Sequence, residues 1–406
     1  MIIKRAYRFR LQPTVQQVDL VNRFAGCRRW LWNEVLRLQR VRLDADLPVM
    51  GYAAMCKLAG WLRHNAETSW LAEAPSQTSQ QALKDLRRAF DDFFDKSQPD
   101  KGFPRFKKRG DRDGFRYPQP SQITLDQANG RIRLPKLGWV RYRKSRAVEG
   151  QIRNVTVSRD GKHWFVSIQV EFEEEDPQHE SSSEVGIDVG IARFATLSDG
   201  TVYEPISPFA RRQRQLARLQ RQLARKTKFS GNWKKQRART QALHRKIRNA
   251  RSDFLHYVSS QISENQAVVV MEDLRVRNMS RSAKGDVENP GKNVKAKSSL
   301  NRAILDQGWR EFRRQIGYKI EWKGGLLILV DPRDTSRMCS CCKRVHEDNR
   351  VSQSLFRCVE CGHTENADLN AAKNILAAGR AATACGGYPD VRGPMKQESP
   401  MAAEAA

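Results

Sequence analysis

The sequence lacks any apolar run long enough to cross a membrane. Its best candidate, residues 326–330, is far shorter than the ~18 residues that a membrane-spanning helix needs. The N-terminal residues Met1-Ile2-Ile3-Lys4-Arg5 also lack the apolar core of a signal peptide. We therefore expect a cytoplasmic protein, associated with the nucleoid if the source is prokaryotic, with no membrane partner.

Signatures of several common enzyme classes are missing as well. The chain contains no G-x-x-x-x-G-K-[ST] phosphate loop, no H-E-x-x-H metalloprotease motif and no G-x-S-x-G nucleophile elbow. Eight cysteines in 406 residues are too few for a disulfide scaffold, and four of them form two close pairs. The cysteine pattern therefore indicates a metal site.

Acidic residues are absent from one long stretch of a strongly basic chain, whose net charge is +28. Between Arg211 and Arg251 there are sixteen Lys and Arg and no Asp or Glu, and leucines at helical spacing predict two helices joined near Ser230. An ordinary solvated helix mixes charges, because like charges four residues apart repel. We predict that this run binds nucleic acid through residues such as Arg211, Arg212 and Arg214. The alternative is a solvated face.

The first 183 residues predict an antiparallel sheet that contains a helical insertion. Residues 1–11 alternate in polarity, which predicts a half-buried strand, and the spacing of Thr14 and Gln17 predicts a capping box at the start of a helix. Hairpin signals follow the helical block, which ends near residue 97. Further strands are expected at 123–125, 132–134, 139–143, 152–158 and 164–172. Residues 1–11 and 100–183 would then form a small β barrel, with 12–99 as an inserted helical lobe.

Three apolar elements beyond the acidic linker at residues 173–183 each carry a carboxylate at one end. Asp188 and Glu272 lie at the ends of predicted strands, and Asp368 lies where a helix begins. Carboxylate oxygens suit Mg²⁺ or Mn²⁺, and phosphodiester hydrolysis uses such ions in pairs. The sequence therefore predicts a metal-dependent nuclease site at these three residues. Asp273 is expected to point to the opposite face of its strand.

The segments between these carboxylates carry further predictions. Helices are expected at 253–264 and at 300–316, the latter with an apolar residue or glycine at every fourth position. The long, polar and basic segment 280–299 predicts a mobile lid beside the site. Residues 379–406, rich in Ala, Gly and Pro, predict a disordered tail.

Two C-x-x-C pairs lie fifteen residues apart: Cys339 and Cys342, then Cys358 and Cys361. Such knuckles can surround one tetrahedral Zn²⁺ with four thiolates. Cys341 leaves Cys339-x-Cys341 as an alternative first knuckle, but the two-residue spacing is the commoner one and we adopt it. Because four thiolates leave no open coordination position, the predicted zinc site is structural.

Several of these segments resemble the TnpB family of transposon-encoded, RNA-guided DNA endonucleases, which is similar to type V CRISPR effectors. The resemblance covers the split RuvC nuclease and the zinc finger and extends over almost the whole chain. The matching motifs are Arg8-Phe9-Arg10-Leu11-Gln12-Pro13, Gly102-Phe103-Pro104-Arg105-Phe106, Leu134-Pro135-Lys136-Leu137-Gly138, Gly186-Ile187-Asp188-Val189-Gly190, Asp253-Phe254-Leu255-His256, Met271-Glu272-Asp273-Leu274, the two cysteine knuckles, and Asn366-Ala367-Asp368-Leu369-Asn370-Ala371-Ala372-Lys373-Asn374-Ile375.

The resemblance implies an RNase H-like nuclease domain at 184–335 and 366–378, interrupted by a zinc finger at 336–365. It makes Asp188, Glu272 and Asp368 the three catalytic positions. Where many family members have Asp-Arg-Asp, this chain has Asn366-Ala367-Asp368, which preserves the last carboxylate.

The same resemblance implies three nucleic-acid properties. It predicts a guide RNA transcribed from the transposon end, recognition of a short motif beside the target, and cleavage of both strands of double-stranded DNA. Tyr52 and Gln80 resemble positions that the family uses, and glutamine can contact an adenine edge. We therefore expect these two residues to read the target-adjacent motif, the alternative being a buried Tyr and a solvent-exposed Gln.

The sequence thus predicts an α+β multidomain protein in which a small β barrel with an inserted helical lobe precedes an RNase H-like α/β nuclease domain interrupted by a zinc finger. The leading function is an RNA-guided DNA endonuclease that uses Mg²⁺ or Mn²⁺ at its nuclease site, structural Zn²⁺ and a guide RNA. Three alternatives stay open: a guide-RNA-dependent DNA-binding repressor with an inactive nuclease, a transposase, and a zinc-dependent DNA-binding protein without catalysis.

Overall fold

The computed structural model describes residues 2–110, 113–173, 175, 177–286 and 288–384. The chain divides into two compact units, Met1–Glu175 and Asp176–Ala406. The division falls inside the predicted acidic linker, close to the boundary that the sequence placed at residues 183 and 184.

Seven antiparallel strands form the sheet of the first unit. They are β1 (Ile2–Gln12), β2 (Gly114–Tyr117), β3 (Thr124–Asp126), β4 (Arg131–Leu134), β5 (Gly138–Tyr142), β6 (Gln151–Asp160) and β7 (His163–Glu173). β1 pairs with β7 from Ile2 opposite Glu173 to Arg10 opposite Phe165, and its last residues pair with β5. The prediction that the N-terminal strand joins the later strands is therefore confirmed.

This sheet is open. Its strand order is β2-β6-β7-β1-β5-β4-β3 and, within the described part of the unit, no ladder joins β2 to β3. The predicted closure into a small β barrel is therefore wrong. β2 is a strand that the sequence did not predict. It ends the sheet, and two helices of the insertion, not a further strand, pack against it.

The insertion between β1 and β2 is helical, as predicted. It comprises α1 (Val15–Asp44), α2 (Tyr52–His64), a 3₁₀ helix (Ala66–Glu73) and α3 (Ser76–Phe94). The capping box is confirmed, since the Thr14 hydroxyl accepts from Gln17 N at 3.3 Å and the Gln17 side chain accepts from Thr14 N at 3.1 Å.

Helices and sheet of the first unit share one apolar core. Phe24 of α1, for example, packs edge-on against Phe115 of β2, with 5.7 Å between ring centroids. The polar side chain of Gln17 adds a link, donating to Trp139 O of β5 at 2.8 Å. The inserted helices are therefore held against the sheet.

The second unit is built on a five-stranded mixed sheet. Its strands are β8 (Glu184–Val189), β9 (Ala195–Leu197), β10 (Val202–Tyr203), β11 (Val268–Glu272) and β12 (Leu326–Val330), in the order β10-β9-β8-β11-β12. β8, β11 and β12 are parallel, whereas β9 and β10 are antiparallel. Parallel strands are normally covered on both faces, which explains why these strands are apolar almost throughout.

The described part of the second unit also contains six α-helices, some of which cover the two faces of the sheet. They are α4 (Pro208–Ala224), α5 (Gly231–Asn265), α6 (Val276–Met279), α7 (Val294–Gln307), α8 (Trp309–Glu321) and α9 (Ala367–Ala384), with a two-stranded hairpin of β13 (Leu355–Arg357) and β14 (Thr364–Asn366) before α9. Val269 and Met271 of β11 point to the core formed with α5 and α8. Val270 points the opposite way, to the core formed with α9.

Four predictions for the second unit need correction. α5 contains the predicted helix 253–264 as its C-terminal part, because no Gly or Pro interrupts residues 232–265. The predicted helix 300–316 is two helices, since Gly308 has φ +77°, a left-handed conformation that ends α7. The predicted lid is partly helical, because α7 begins at Val294. α9 continues to Ala384, so residues 379–384 of the predicted tail are helical, and 385–406 lie outside the described residues.

Candidate metal centres

The ends of β8 and β11 place Asp188 and Glu272 beside each other. The two strands are parallel, with Ile187 opposite Met271. The residues that follow these two, Asp188 and Glu272, are therefore neighbours across the strand pair. Ile187 and Met271 point into the core with α5 and α8. Because strand side chains alternate between faces, Asp188 and Glu272 point to the face that α9 covers.

Helix α9 brings Asp368 to the same face. A Cβ at Gly186 would lie 2.2 Å from the carbonyl oxygen of Ala372, so only glycine lets the helix approach β8 this closely. Asn366 caps the helix, since its Oδ1 accepts from Asp368 N at 3.1 Å and from Leu369 N at 3.3 Å. The capped first turn holds Asp368 at the edge of the sheet.

The three carboxylates interact electrostatically. Burial and the negative charges of Glu272 and Asp368 raise the pKa of Asp188 to about 7. Burial also raises the pKa of Glu272. Carboxylates that repel one another in a partly buried place are favourable ligands for a cation, because its charge relieves the repulsion. The donor atoms are all oxygen, which fits Mg²⁺ or Mn²⁺.

The carboxylate oxygens do not converge on one ion position. In the part of the chain that the structure describes, a single group of three or more His, Cys, Asp or Glu approaches closely enough to hold one ion, and it consists of cysteines. The three carboxylates therefore fit divalent cations by charge and donor type, without forming a closed single-ion cage.

Two side chains that the sequence did not single out complete this site. Thr335, 4% exposed, donates from its hydroxyl to Glu272 Oε1 at 2.5 Å. Arg350 Nη2 lies 3.8 Å from Asp368 Oδ1, and its positive charge lowers the pKa of Asp188 against the larger effect of burial. Neither position carried a sequence signal, because Thr335 lies in a loop after β12 and Arg350 is one of many basic residues.

Asp273 lies outside the site. Its carboxylate pairs with the guanidinium of Arg313 on α8, on the face of the sheet opposite α9. The prediction that Asp273 points away from its neighbour Glu272 is confirmed.

The four predicted cysteines form a second cluster. Cys339 Sγ lies 3.7 Å from Cys361 Sγ, Cys342 Sγ lies 3.5 Å from Cys358 Sγ, and all four sulfurs are within 4.8 Å of one another. Four thiolates at ~2.3 Å from a tetrahedral zinc ion would lie ~3.8 Å apart, so this spacing fits. The cluster includes Cys342 and not Cys341, in agreement with the spacing adopted from the sequence.

Two fully buried asparagines of α9 join the cysteine segment to the helix that carries Asp368. Asn370 donates to Met338 O and accepts from Ser340 N, both at 2.8 Å. Asn374 donates to Met338 O at 2.6 Å and to Thr335 O at 3.1 Å. The backbone next to Cys339 is therefore tied directly to α9.

Three family models match the chain. OrfB_IS605, described as "Probable transposase", matches residues 167–283; "Cas12f1-like, TNB domain" matches 309–375; and "Helix-turn-helix domain" matches 1–46. In this structure residues 1–46 contain strand β1 and the whole of the single long helix α1. The words "Helix-turn-helix domain" are therefore the name of the family model and do not describe the elements observed there.

A relative from Escherichia coli (strain K12), named "Putative RNA-guided DNA endonuclease InsQ", is 52% identical over 397 residues, which is 97% of each chain. The chain belongs to the OrfB/TnpB family. A second relative, "Putative RNA-guided DNA endonuclease" of Streptomyces pristinaespiralis, is 33% identical over 95% of this chain and 91% of its own. The resemblance deduced from the sequence motifs is confirmed.

The TnpB-family chain also shares its fold with a solved structure. A cryo-EM structure of the Cas12f1–sgRNA–target DNA complex superposes with a TM-score of 0.53, covering 92% of this chain and 98% of that one. Sequence identity is 13%, so this likeness concerns the fold alone. The mixed helix-and-sheet architecture is accordingly a Cas12-like fold.

The predicted nucleic-acid contacts of this TnpB-family chain lie at the surface. Arg211 and Arg214 are exposed and Arg212 is half-buried on α4. Tyr52, the first residue of α2, is 40% exposed, and Gln80 is exposed on α3. The Tyr is therefore not buried, and both side chains are accessible to a ligand.

No helix of the described chain combines the length and the apolar character that a membrane span needs.

Proposed function

We propose that the chain is a transposon-encoded, RNA-guided endonuclease that cuts double-stranded DNA at a site formed by Asp188, Glu272 and Asp368. The observation that carries the proposal is the placement of these carboxylates, from two parallel strands and one helix, at one face of the second sheet, where they interact electrostatically. The two relatives that align over almost the entire chain are named as RNA-guided DNA endonucleases, which supports the same function.

The three carboxylates would hold a pair of Mg²⁺ or Mn²⁺ ions. When bound, such ions activate a water molecule and stabilise the leaving oxygen of a phosphodiester. Thr335 holds the Glu272 carboxylate in position through its hydrogen bond. Arg350 supplies positive charge beside Asp368, where a phosphate of the substrate would otherwise meet net negative charge.

The domain assignment is proposed with the same function. Residues 184–335 and 366–378 would form the RNase H-like nuclease domain, which the strand order and the two helical layers support. Residues 336–365 would form a zinc finger, supported by the sulfur spacing of its four cysteines. The open sheet and its helical insertion would serve target recognition.

The proposal is tested with the RNA that copurifies with the full-length protein. Sequencing that RNA identifies scaffold and guide, and the purified complex is then given double-stranded DNA that matches the guide, with Mg²⁺ or with EDTA. Cleavage of both strands that requires matching RNA and Mg²⁺ is expected. Target binding without cleavage would instead indicate a guide-dependent repressor, and joining of DNA ends would indicate a transposase.

We propose that Tyr52 and Gln80 read the target-adjacent motif. The motif must be read in duplex DNA, because pairing with the guide does not extend to it, and a glutamine amide can recognise adenine in the major groove. Gln80→Ala is expected to change the preferred motif in a cleavage assay with randomised flanks. Gln81→Ala is the matched control, since Gln81 already bonds to Asp85 on the same helix at 3.1 Å. An unchanged profile for Gln80→Ala would remove it from motif recognition.

We propose that the basic helices α4 and α5 bind the guide RNA electrostatically. Changing Arg211, Arg212 and Arg214 together to Gln should weaken RNA binding and reduce the slope of log affinity against log salt by about 2 to 3. Each RNA phosphate that is no longer contacted keeps its counterions, so fewer ions are released on binding. The matched triple change to Lys keeps the charge and should preserve the slope. A Gln variant with the slope of the unaltered protein would mean that these arginines form only a solvated face.

A further inference from the structure

The turn between α4 and α5 forms an exposed, purely basic tip, which we define as residues 225–237. It carries six Lys and Arg and no Asp or Glu, and all six are exposed. The nearest carboxylates in sequence are Glu204 and Asp253. The tip therefore attracts polyanions and disfavours a protein partner, because lysine is depleted from protein–protein interfaces.

An aromatic side chain stands in the middle of this charge. Phe229 is 73% exposed, and its backbone has φ +68°, a left-handed conformation that residues with a Cβ seldom adopt. Glycine or asparagine would satisfy such a turn better than a bulky aromatic residue. Neither core packing nor turn geometry explains the choice of Phe here.

Phe229 is the first member of a row of three planar side chains, in which its ring is tilted by 53° from that of Trp233. Its ring contacts that of Trp233, with 5.5 Å between centroids, and the Arg237 guanidinium lies 5.3 Å from the Trp233 centroid. Ser230 fixes the first turn of α5 by accepting from Trp233 N at 3.1 Å. Trp233 and Arg237 are four residues apart on that helix and so share a face. We call Phe229, Trp233 and Arg237 the tip platform.

The platform is held on α4 and α5, well along α5 from the point where that helix is anchored. Gln236, buried between the helices, donates to Leu219 O at 3.2 Å and to the Gln222 side chain at 3.1 Å, which ties α5 to α4. The helix is anchored at Arg251, which pairs with Asp306 at 2.8 Å. At ~1.5 Å per residue, Trp233 lies ~27 Å along the helix from that anchor. The platform is therefore a fixed surface on which a ligand could rest.

We propose that the tip platform stacks on an unpaired base of the guide RNA, an inference that rests on the proposed function. Aromatic rings and guanidinium planes are the side chains on which splayed bases stack, and the surrounding cations would neutralise the flanking phosphates. RNA is favoured over target DNA, because loops and bulges of a folded RNA offer unstacked bases, whereas the bases of duplex DNA are already stacked.

The test uses the full-length protein freed of RNA and a synthetic RNA with the sequence of the RNA that copurifies with it. Phe229→Ala and Trp233→Ala should each weaken binding of that RNA about tenfold, as loss of one stacked base does. The salt slope should stay unchanged, because neither ring is charged. Fluorescence of Trp233, read as the difference between the unaltered protein and Trp233→Ala, should be quenched by RNA.

Two conservative variants separate stacking from apolar contact. Phe229→Tyr keeps an aromatic ring and should bind as the unaltered protein does, whereas Phe229→Leu keeps apolarity without a ring and should lose as much affinity as Phe229→Ala. Lys234→Gln with Lys235→Gln should instead lower the salt slope by about 1.4 to 1.8.

Two results would overturn the inference. In the first, Phe229→Leu binds the RNA with unaltered affinity. In the second, the alanine variants bind the RNA normally but bind target DNA more weakly, which would assign the platform to DNA. If the unaltered protein binds no RNA, the proposed function fails together with the inference. If it binds RNA and the aromatic variants bind equally well, only the inference fails.

Discussion

The cysteine cluster and the carboxylate site lie in the same unit but are assembled from sequence in different ways. The four thiols come from two turns between residues 339 and 361, and their sulfurs already lie at distances that fit one ion. The three carboxylates come from residues 188, 272 and 368 and need a parallel strand pair and a docked helix to meet. A local site can be recognised from spacing, whereas a distributed site depends on the fold around it.

Their chemistry differs in a matching way. The cysteine cluster has four ligands and no open position, so its contribution is to folding. The three carboxylates do not close around one ion position, and burial together with their mutual repulsion raises the pKa of Asp188. The buried asparagines of α9 hydrogen-bond to the backbone of the cysteine segment. We therefore expect folding of that segment to stabilise the helix that carries Asp368.

The largest expected effect comes from removing a carboxylate. Asp188→Ala, Glu272→Ala and Asp368→Ala should each lower cleavage by at least ~10³-fold, because metal-ion catalysis supplies several kcal/mol and each 1.36 kcal/mol is tenfold in rate. Binding of guide RNA and target DNA should stay close to normal, since the basic residues proposed to contact phosphates, such as those of α4 and α5, are not changed. Cleavage is measured on matched target DNA under single-turnover conditions.

Asp273→Ala is the control for that series, because Asp273 is adjacent to Glu272 and pairs with Arg313 on the other face. It should cleave at nearly the normal rate. Full-rate cleavage by one of the three carboxylate variants would remove that residue from the site. Inactivity of Asp273→Ala would show that loss of any nearby negative charge abolishes cleavage, so the series would no longer identify metal ligands.

The sequence predicted residues better than it predicted boundaries. Spacing alone identified the cysteines, and alternation along β11 separated Glu272 from Asp273. It did not show that the sheet of the first unit stays open, because closure depends on how helices pack at an edge strand. It also missed Thr335 and Arg350, whose proximity to the carboxylates comes from loops that fold back over the sheet.

The next effect concerns the cysteine cluster. Cys358→Ser should lose the bound zinc and lower cleavage about 100-fold, because the ion contributes to folding of the segment that leads to Asp368. Guide binding should fall less, since the basic helices α4 and α5 lie outside the finger. Zinc content is measured by metal analysis, alongside cleavage and RNA affinity.

Cys341→Ser is the matched control for Cys358→Ser. Cys341 is exposed and lies outside the sulfur cluster, so this variant should keep both zinc and cleavage. If Cys341→Ser loses the metal while Cys342→Ser retains it, the first knuckle uses Cys339-x-Cys341 and the assigned ligand is wrong.

The smallest effect tests the connection between the two sites. Asn370→Ala leaves the Ser340 N–H without its buried acceptor, at a cost of ~1–3 kcal/mol, and removes one of the two donors to Met338 O, the other being Asn374. Fewer hydrogen bonds then hold α9 to the cysteine segment. Zinc should be retained, while cleavage falls about tenfold and needs more Mg²⁺, because the first turn of α9 positions Asp368. Asn370→Asp keeps the acceptor for Ser340 N and should have a weaker effect.

Arg380→Ala is the control on the same helix. Arg380 lies at the exposed far end of α9, and its loss removes a pair with Glu184, so cleavage and its dependence on Mg²⁺ should both stay unchanged. If Asn370→Ala loses zinc, the asparagine stabilises the finger itself; if it cleaves normally, the two sites are assembled independently.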